Sequence, residues 1–170
     1  RRVLGDAGLL NTHGYVVGGH ATAIAYDKGS LELLASSKED VAEDRREQWY
    51  GRRGVGWVRL RHRKSGKTVF AANHHGPLPV NTGGKCGGEA TAYNMLRVIG
   101  RHAEAGDMKL LMGDLNADKN SATQSALKTH MRRITHHWVD AIFASCPSHR
   151  TKNLGNGGSD HDAIEAVFSI

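Results

Sequence analysis

Leu110-Leu111-Met112-Gly113-Asp114-Leu115-Asn116-Ala117-Asp118 is the stretch on which the fold reading turns. Three apolar residues make a short buried strand. It opens directly into Gly, Asp and Asn, which turns favour and which are costly to bury unpaired. Two other apolar runs carry similar clusters. Val69–Ala72 runs into Asn73, His74, His75, Gly76 and Pro77, and Gly157, Gly158, Ser159, Asp160 and His161 stand just before Ala163–Phe168. Ligand sites of α/β folds gather at such strand ends.

Working outward, Val55–His62 alternates, with Val58 and Leu60 on one face and Arg59 and Arg61 on the other, and Thr68–Asn73 follows after Lys64, Ser65, Gly66 and Lys67. This predicts a hairpin. Ala21–Tyr26 and Leu31–Ala35, separated by Asp27-Lys28-Gly29-Ser30, predict a second hairpin. Ala92, Met95, Leu96 and Ile99 have helical spacing within Glu89–Ala103, Ser121 is placed to cap a helix from Ala122 to about His130, and Trp138–Phe143 and Ala163–Phe168 read as strands. The first 20 residues read as loop with one short strand at Tyr15–Val17. One α/β domain over 1–170 is expected, its core running from 21 to 170.

Composition fits a chain that folds on its own: 39% hydrophobic, 24% charged and only 3 Pro exclude a disordered or low-complexity chain. With 23 Lys and Arg against 17 Asp and Glu the net charge is +6, which favours an anionic partner. No apolar run approaches the roughly 18 residues of a membrane helix. Cys86 and Cys146 are too few for a disulfide framework; both fall in loops after strands, so a bond between them is open.

Taken singly, the polar clusters have ordinary explanations: Asp and Asn cap helices and form turns, and a His after a strand is usually a loop residue. His75, Asp114, Asn116, Asp160 and His161 together, each beside an apolar run, are harder to assign to turns. Other motifs fail. A calcium loop starting at Asp114 would need Gly at Lys119 and Glu at Ser125, and the Gly a P-loop needs before Ser65-Gly66-Lys67-Thr68 falls on Arg61. No Gly-x-Ser-x-Gly elbow occurs, and Cys146 with His149 lacks a second ligand pair at zinc spacing.

At FAANHHGPLP (70–79), LLMGDLNAD (110–118), WVDAIF (138–143) and GSDHDAIEAVF (158–168) the chain resembles the endonuclease/exonuclease/phosphatase superfamily, whose fold is that of deoxyribonuclease I. The resemblance implies an α/β fold: a two-sheet β-sandwich flanked by helices in four layers, α/β/β/α. It further implies a divalent-metal-dependent phosphodiester or phosphomonoester hydrolase, foremost a nuclease, using magnesium or in its place manganese. Asp114 resembles the carboxylate that orients or deprotonates the attacking water, and Asn116 its phosphate-contacting neighbour. His75 resembles the histidine that bonds phosphoryl oxygens or the leaving group. His161 resembles the site histidine, Asp140 the buried acid that fixes its tautomer, and Asp160 a metal-site or neighbouring carboxylate. Asn73 and, in RRGVGWV (52–58), Arg53 resemble substrate-contacting groups.

The chemistry suits these types. Phosphoester hydrolysis builds charge on phosphoryl oxygens, which donors and a cation offset, and a His held by a carboxylate is a ready donor. The resemblance also implies an opening strand-helix-strand unit with a metal-binding Glu, and nothing before Gly14 reads as that unit. The expectation is therefore an N-terminally truncated domain whose exposed sheet is covered by a missing segment or a partner chain. The alternative is a catalytically inactive relative serving as an interaction or assembly subunit.

Nine Lys or Arg lie between Arg45 and Lys67 against Glu47 alone, and Trp49, Tyr50 and Trp57 are interleaved with them. That pattern suits nucleic-acid phosphates and stacked bases, or a phosphoinositide headgroup, although a solvated charged face has the same composition. The Gly-rich loop Asn81–Gly88 reads either as a flexible connection or as a lid over phosphate.

Overall fold

The computed structural model describes residues 2–48 and 51–170. Trp49 and Tyr50, named above as stacking candidates, lie outside them. A short helix α1 (Arg2–Asp6) precedes strands β1 (His13–Gly19), β2 (Thr22–Asp27), β3 (Leu31–Glu43), β4 (Arg52–His62) and β5 (Thr68–His74). Helix α2 (Gly88–His102), β6 (Met108–Asp114), α3 (Ala122–Lys128), β7 (Arg132–His137), β8 (Asp140–Ala144), β9 (Arg150–Gly155) and β10 (Ala163–Val167) follow.

Six strands form one mixed sheet in the order β3-β4-β5-β6-β8-β7. The alternation in β4 and β5 sends side chains to opposite faces. Val55, Trp57, Phe70 and Ala72 meet Ala92, Met95, Val98 and Ile99 of α2 and Leu127 of α3. On the other face Val58, Leu60, Val69 and Ala71 meet Val16, Ile24 and Tyr26 of the β1-β2 pair. Ser121 caps α3 as its type predicts, its Oγ accepting from Gln124 N at 3.1 Å.

The result is the expected helix-flanked β-sandwich, but its second layer is divided. Among the described residues β1 pairs only with β2 and β9 only with β10, as two separate two-stranded sheets. The first packs on β4 through a close backbone approach: a Cβ on Gly56 would stand 2.4 Å from the Gly18 Cα, so neither residue has room for a side chain. The second lies over β7 and β8. Between them, Ile24, Tyr26, Leu60, Val69, Leu110, Met112, Phe168 and Ile170 line an apolar groove of about 450 Å³.

Two expectations change. Ala21–Tyr26 and Leu31–Ala35 do not form a hairpin: β2 pairs with β1, and β3 with β4 in the other layer. The turn between them is tight, Asp27 Oδ1 accepting from Gly29 N at 2.8 Å, but it passes the chain from one sheet to the other. Residues 13–19, read mostly as loop, are a full strand because that pairing supplies their partners. Cys86 and Cys146 are free thiols. No helix among the described residues is long and apolar enough to cross a membrane.

Candidate active site

Parallel pairing of β5 with β6 brings two strand ends to one edge of the sheet. Asn73 lies opposite Met112, so His74 and His75 emerge beside Gly113 and Asp114. β8 runs antiparallel to β6 with Asp140 opposite Asp114, and β7 ends there with His137 opposite Asp140. His161 arrives from the loop before β10.

The loops at this edge are fastened to each other. Gly76 N donates to Asp114 O at 2.7 Å, and Asn116 Nδ2 donates to Gly76 O at 2.8 Å. Position 76 must be glycine, because a Cβ there would lie 1.8 Å from the Leu115 carbonyl oxygen. Asp114 Oδ1 accepts from Asn116 N at 2.7 Å, while its Oδ2 lies 3.5 Å from His75 Nε2. Across the row, Asp140 Oδ2 is 2.6 Å from His161 Nδ1. The side chains of these two pairs are between 18% and 34% exposed, which admits a substrate oxygen and limits screening by bulk water.

The hydrogen bond to Asp140 raises the pKa of His161, and the charges of Asp140, Asp114 and Asp160 add to it against the effect of burial. Burial raises the Asp140 carboxyl in turn, with Asp114 adding repulsion, despite the bond to His161. The protonated ring is thereby favoured, and it is held by Nδ1 with Nε2 free of that contact, which is the orientation for donating a proton or hydrogen bond to an oxyanion. Trp138, 57% exposed and with φ 48°, sets its ring 4.8 Å from that of His161.

Neither a family profile nor a curated relative matches the chain by sequence. Solved structures do match. The endonuclease/exonuclease/phosphatase from Bacteroides vulgatus superposes with a TM-score of 0.74 over 94% of this chain and 77% of its own, at 17% identity. The chain has the endonuclease/exonuclease/phosphatase fold. The mannosyl-6-phosphatase of Bacteroides thetaiotaomicron shares it (TM-score 0.72, 18% identity, 98% of this chain, 77% of that one). So does D. rerio TDP2 complexed with a single-strand DNA product (TM-score 0.68, 14% identity, 97% of this chain, 79% of that one). The chain thus spans about three quarters of the length of these endonuclease/exonuclease/phosphatase-fold proteins.

Within this fold the other residues named from the sequence take different places. Asn73 Nδ2 donates to Ala23 O at 2.9 Å, tying β5 to β2. Arg53, 6% exposed, is bidentate to the buried Asp44 at 3.0 and 3.1 Å, and Asp44 also accepts from Leu78 N at 2.8 Å. Asp160 is exposed beside Ser159. Among the described residues no three His, Cys, Asp or Glu side chains converge in a way that would hold a metal ion. Asp114 is already engaged by Asn116 and His75, so Asp114 and Asp160 do not fit a magnesium site as a set.

Of the basic run only Arg53 is buried and Arg59 half-buried, while Arg45, Arg46, Arg52, Arg61, Arg63, Lys64 and Lys67 are exposed. Arg59 binds Asp107 and Glu104, Arg61 binds Glu32, and Trp57 is stacked on Phe70 and His102, 6% exposed, where no base can reach it. The 81–88 loop is fastened rather than free. Asn81 Nδ2 donates to Asp118 Oδ2 at 2.7 Å, Thr91 Oγ1 to Gly83 O at 3.0 Å, and Arg45 Nε to Gly84 O at 3.2 Å.

Sequence reasoning passed over His74. Its Nδ1 donates to Gly54 O at 2.9 Å, and burial lowers its pKa to about 4, so it is a neutral core residue under the site. It also passed over His137, 3.5 Å from Asp162, and over Trp138, which was read as the start of a strand but lies with Val139 in the turn before β8.

Proposed function

We propose that the chain is a phosphoester hydrolase, with a nucleic-acid phosphodiester as its foremost substrate. The observation that supports this reading is the convergence of two histidine–carboxylate pairs, His75 with Asp114 and His161 with Asp140, on one sheet edge. A phosphoryl group held between them meets donors on both flanks. His161, turned by Asp140, donates to a phosphoryl or leaving-group oxygen, and His75 donates from the other side. Asp114 orients the attacking water and accepts its proton. Asn116 acts through its bonds to Asp114 and Gly76, keeping that carboxylate in place. The family's magnesium or manganese dependence belongs to this reading, but the described residues do not supply the ligands, and no step above runs through a metal.

The apolar groove supports a further part of the reading: a strand-forming segment, of a partner or of the same protein, covers it. The second reading, a non-catalytic relative acting as an interaction subunit, is favoured by the incomplete set of metal ligands.

Incubation with labelled DNA, RNA and inositol phosphates, with magnesium and with chelator, beside an Asp114→Ala control, separates the two. Magnesium-dependent turnover lost in the control supports the hydrolase. Folded protein with no turnover on any substrate supports the interaction subunit.

A further inference from the structure

A second cleft, of about 480 Å³, opens beside the candidate site and is lined by His20, Ala21, Arg52, Arg53, His75 and Leu78. His75 therefore faces two spaces, Asp114 on one side and this cleft on the other. The far wall is polar. His20 Nε2 lies 3.2 Å from Asp40 Oδ1, and Arg52 Nη1 lies 3.2 Å from the other oxygen of the same carboxylate. One acid thus holds an imidazole and a guanidinium together. The Arg52 side chain is 71% exposed and is held through Nη1. Arg53 differs: both ends of its fork are committed to Asp44, whose charge offsets its own.

His20 is placed there at a conformational cost. It and Ala21 form the two-residue turn between β1 and β2, with φ 50° and 62°. Such a turn needs the left-handed region at both positions and favours Asn-Gly, whereas this chain has His-Ala. The side chain is 33% exposed and is held by Asp40.

We propose that His20 and Arg52 form an anion subsite for a second phosphate of the substrate, next to the phosphate attacked beside His75. The inference rests on the hydrolase reading and deepens it: the substrate carries at least two phosphate groups, so a single isolated phosphate ester leaves half the site unused. A guanidinium fork grips phosphate oxygens in pairs, and His20 adds a third donor through Nδ1 when the ring carries both protons.

The test compares wild type with the double variant His20→Asn, Arg52→Gln. Asn suits the left-handed turn, so the hairpin persists, and a melting curve confirms folding. The substrates are bis(p-nitrophenyl) phosphate with one phosphate, trithymidylate, and an inositol trisphosphate. The expected result is that the kcat/KM ratio of a multi-phosphate substrate over the single-phosphate one falls about tenfold in the variant, through KM. Loss on trithymidylate alone assigns the subsite to a polynucleotide, and loss on the inositol ester alone to a small polyphosphate. An unchanged ratio overturns the proposal. If wild type hydrolyses none of the three, the hydrolase reading fails separately, and anisotropy of fluorescein-labelled trithymidylate and calorimetry with the inositol ester decide the subsite. About tenfold weaker binding of either ligand by the variant supports it, and equal binding of both overturns it.

Discussion

Asp140 on β8 and His161, 21 residues further along, are joined Oδ2 to Nδ1 at 2.6 Å, and this one bond orients the imidazole and is the main cause of its raised pKa. If His161 donates to the reacting phosphate, activity holds while it is protonated and falls as pH rises through its raised pKa. Asp140→Asn removes the principal cause of that raising, so the alkaline limb of the pH–rate curve moves to lower pH. His161→Ala lowers the rate about 10²-fold or more and removes that limb. A pH–rate series on the three proteins checks this. An unmoved limb in Asp140→Asn assigns the titration to another group.

Gly76 is the point where the loops after β5 and β6 touch. A methyl group there collides with the Leu115 backbone, which cannot yield as a flexible side chain would. Gly76→Ala is expected to cost about 1–3 kcal/mol by overpacking and to displace Asp114, whose carbonyl the Gly76 N–H holds. Urea unfolding read beside turnover measures both; a fully stable and active variant would contradict the geometry.

His74 gives a stability effect distinct from the site's chemistry. Its folded pKa lies near 4, below the usual 6.5, chiefly because of burial, and its Nε2 has no hydrogen-bond partner among the described residues. The unfolded chain therefore binds a proton that the folded chain refuses. The stability this gives is present above pH 6.5 and is lost as pH falls toward 4, by about 3 kcal/mol in all. His74→Leu should flatten that slope in unfolding curves measured across the window. A slope identical to wild type would place the acid sensitivity elsewhere.

Arg59 joins β4 to the loop before β6: Nε and Nη2 reach Asp107 at 2.8 and 3.1 Å, and Nη1 reaches Glu104 at 2.6 Å. Burial works to raise the Asp107 carboxyl, but the Arg59 and Thr68 hydrogen bonds outweigh it and hold its pKa below the ordinary value. Stability from this group is thus present above the unfolded carboxylate pKa and lost as pH falls through the lower folded one. Arg59→Ala strands a buried charge and should cost about 3 kcal/mol, with the acid loss beginning at higher pH. Replacing Arg59 and Asp107 together by Met and Asn should cost less than the single change, which thermal unfolding of the two variants would show.

The parts legible in the sequence were those where local pattern and tertiary context agree. Alternation in β4 and β5, helical spacing in α2 and the Ser121 cap correspond to what forms. The Gly-Asp-x-Asn and Ser-Asp-His segments do meet at one edge, because each is tied to an apolar strand of fixed direction. Pairing partners were not legible: β2 and β3 are separated by a turn that looks like a hairpin turn, and only long-range packing sends them to different sheets. β7 and β9 were missed because Arg132–His137 and Arg150–Gly155 are polar strands without an apolar alternation. Ion pairing within the basic run was not legible either, although most of the run is exposed as a solvated face would be. Arg59 and Arg61 take their acids from residues 104, 107 and 32, which lie far from them in sequence.

The divided second layer has a consequence for the chemistry. His75, Asp114 and Asp140 all sit at ends of neighbouring strands in the six-stranded sheet, whereas His161 hangs from the segment leading into β10, whose outer edge pairs with nothing among the described residues. Phe168 and Ile170, just beyond β10, face the apolar groove. A strand seated there would zip onto β10 and stiffen the arm that carries His161, leaving the other three groups where they are. Occupancy of a distant seat would then be felt as the fit of one imidazole, linking assembly to turnover.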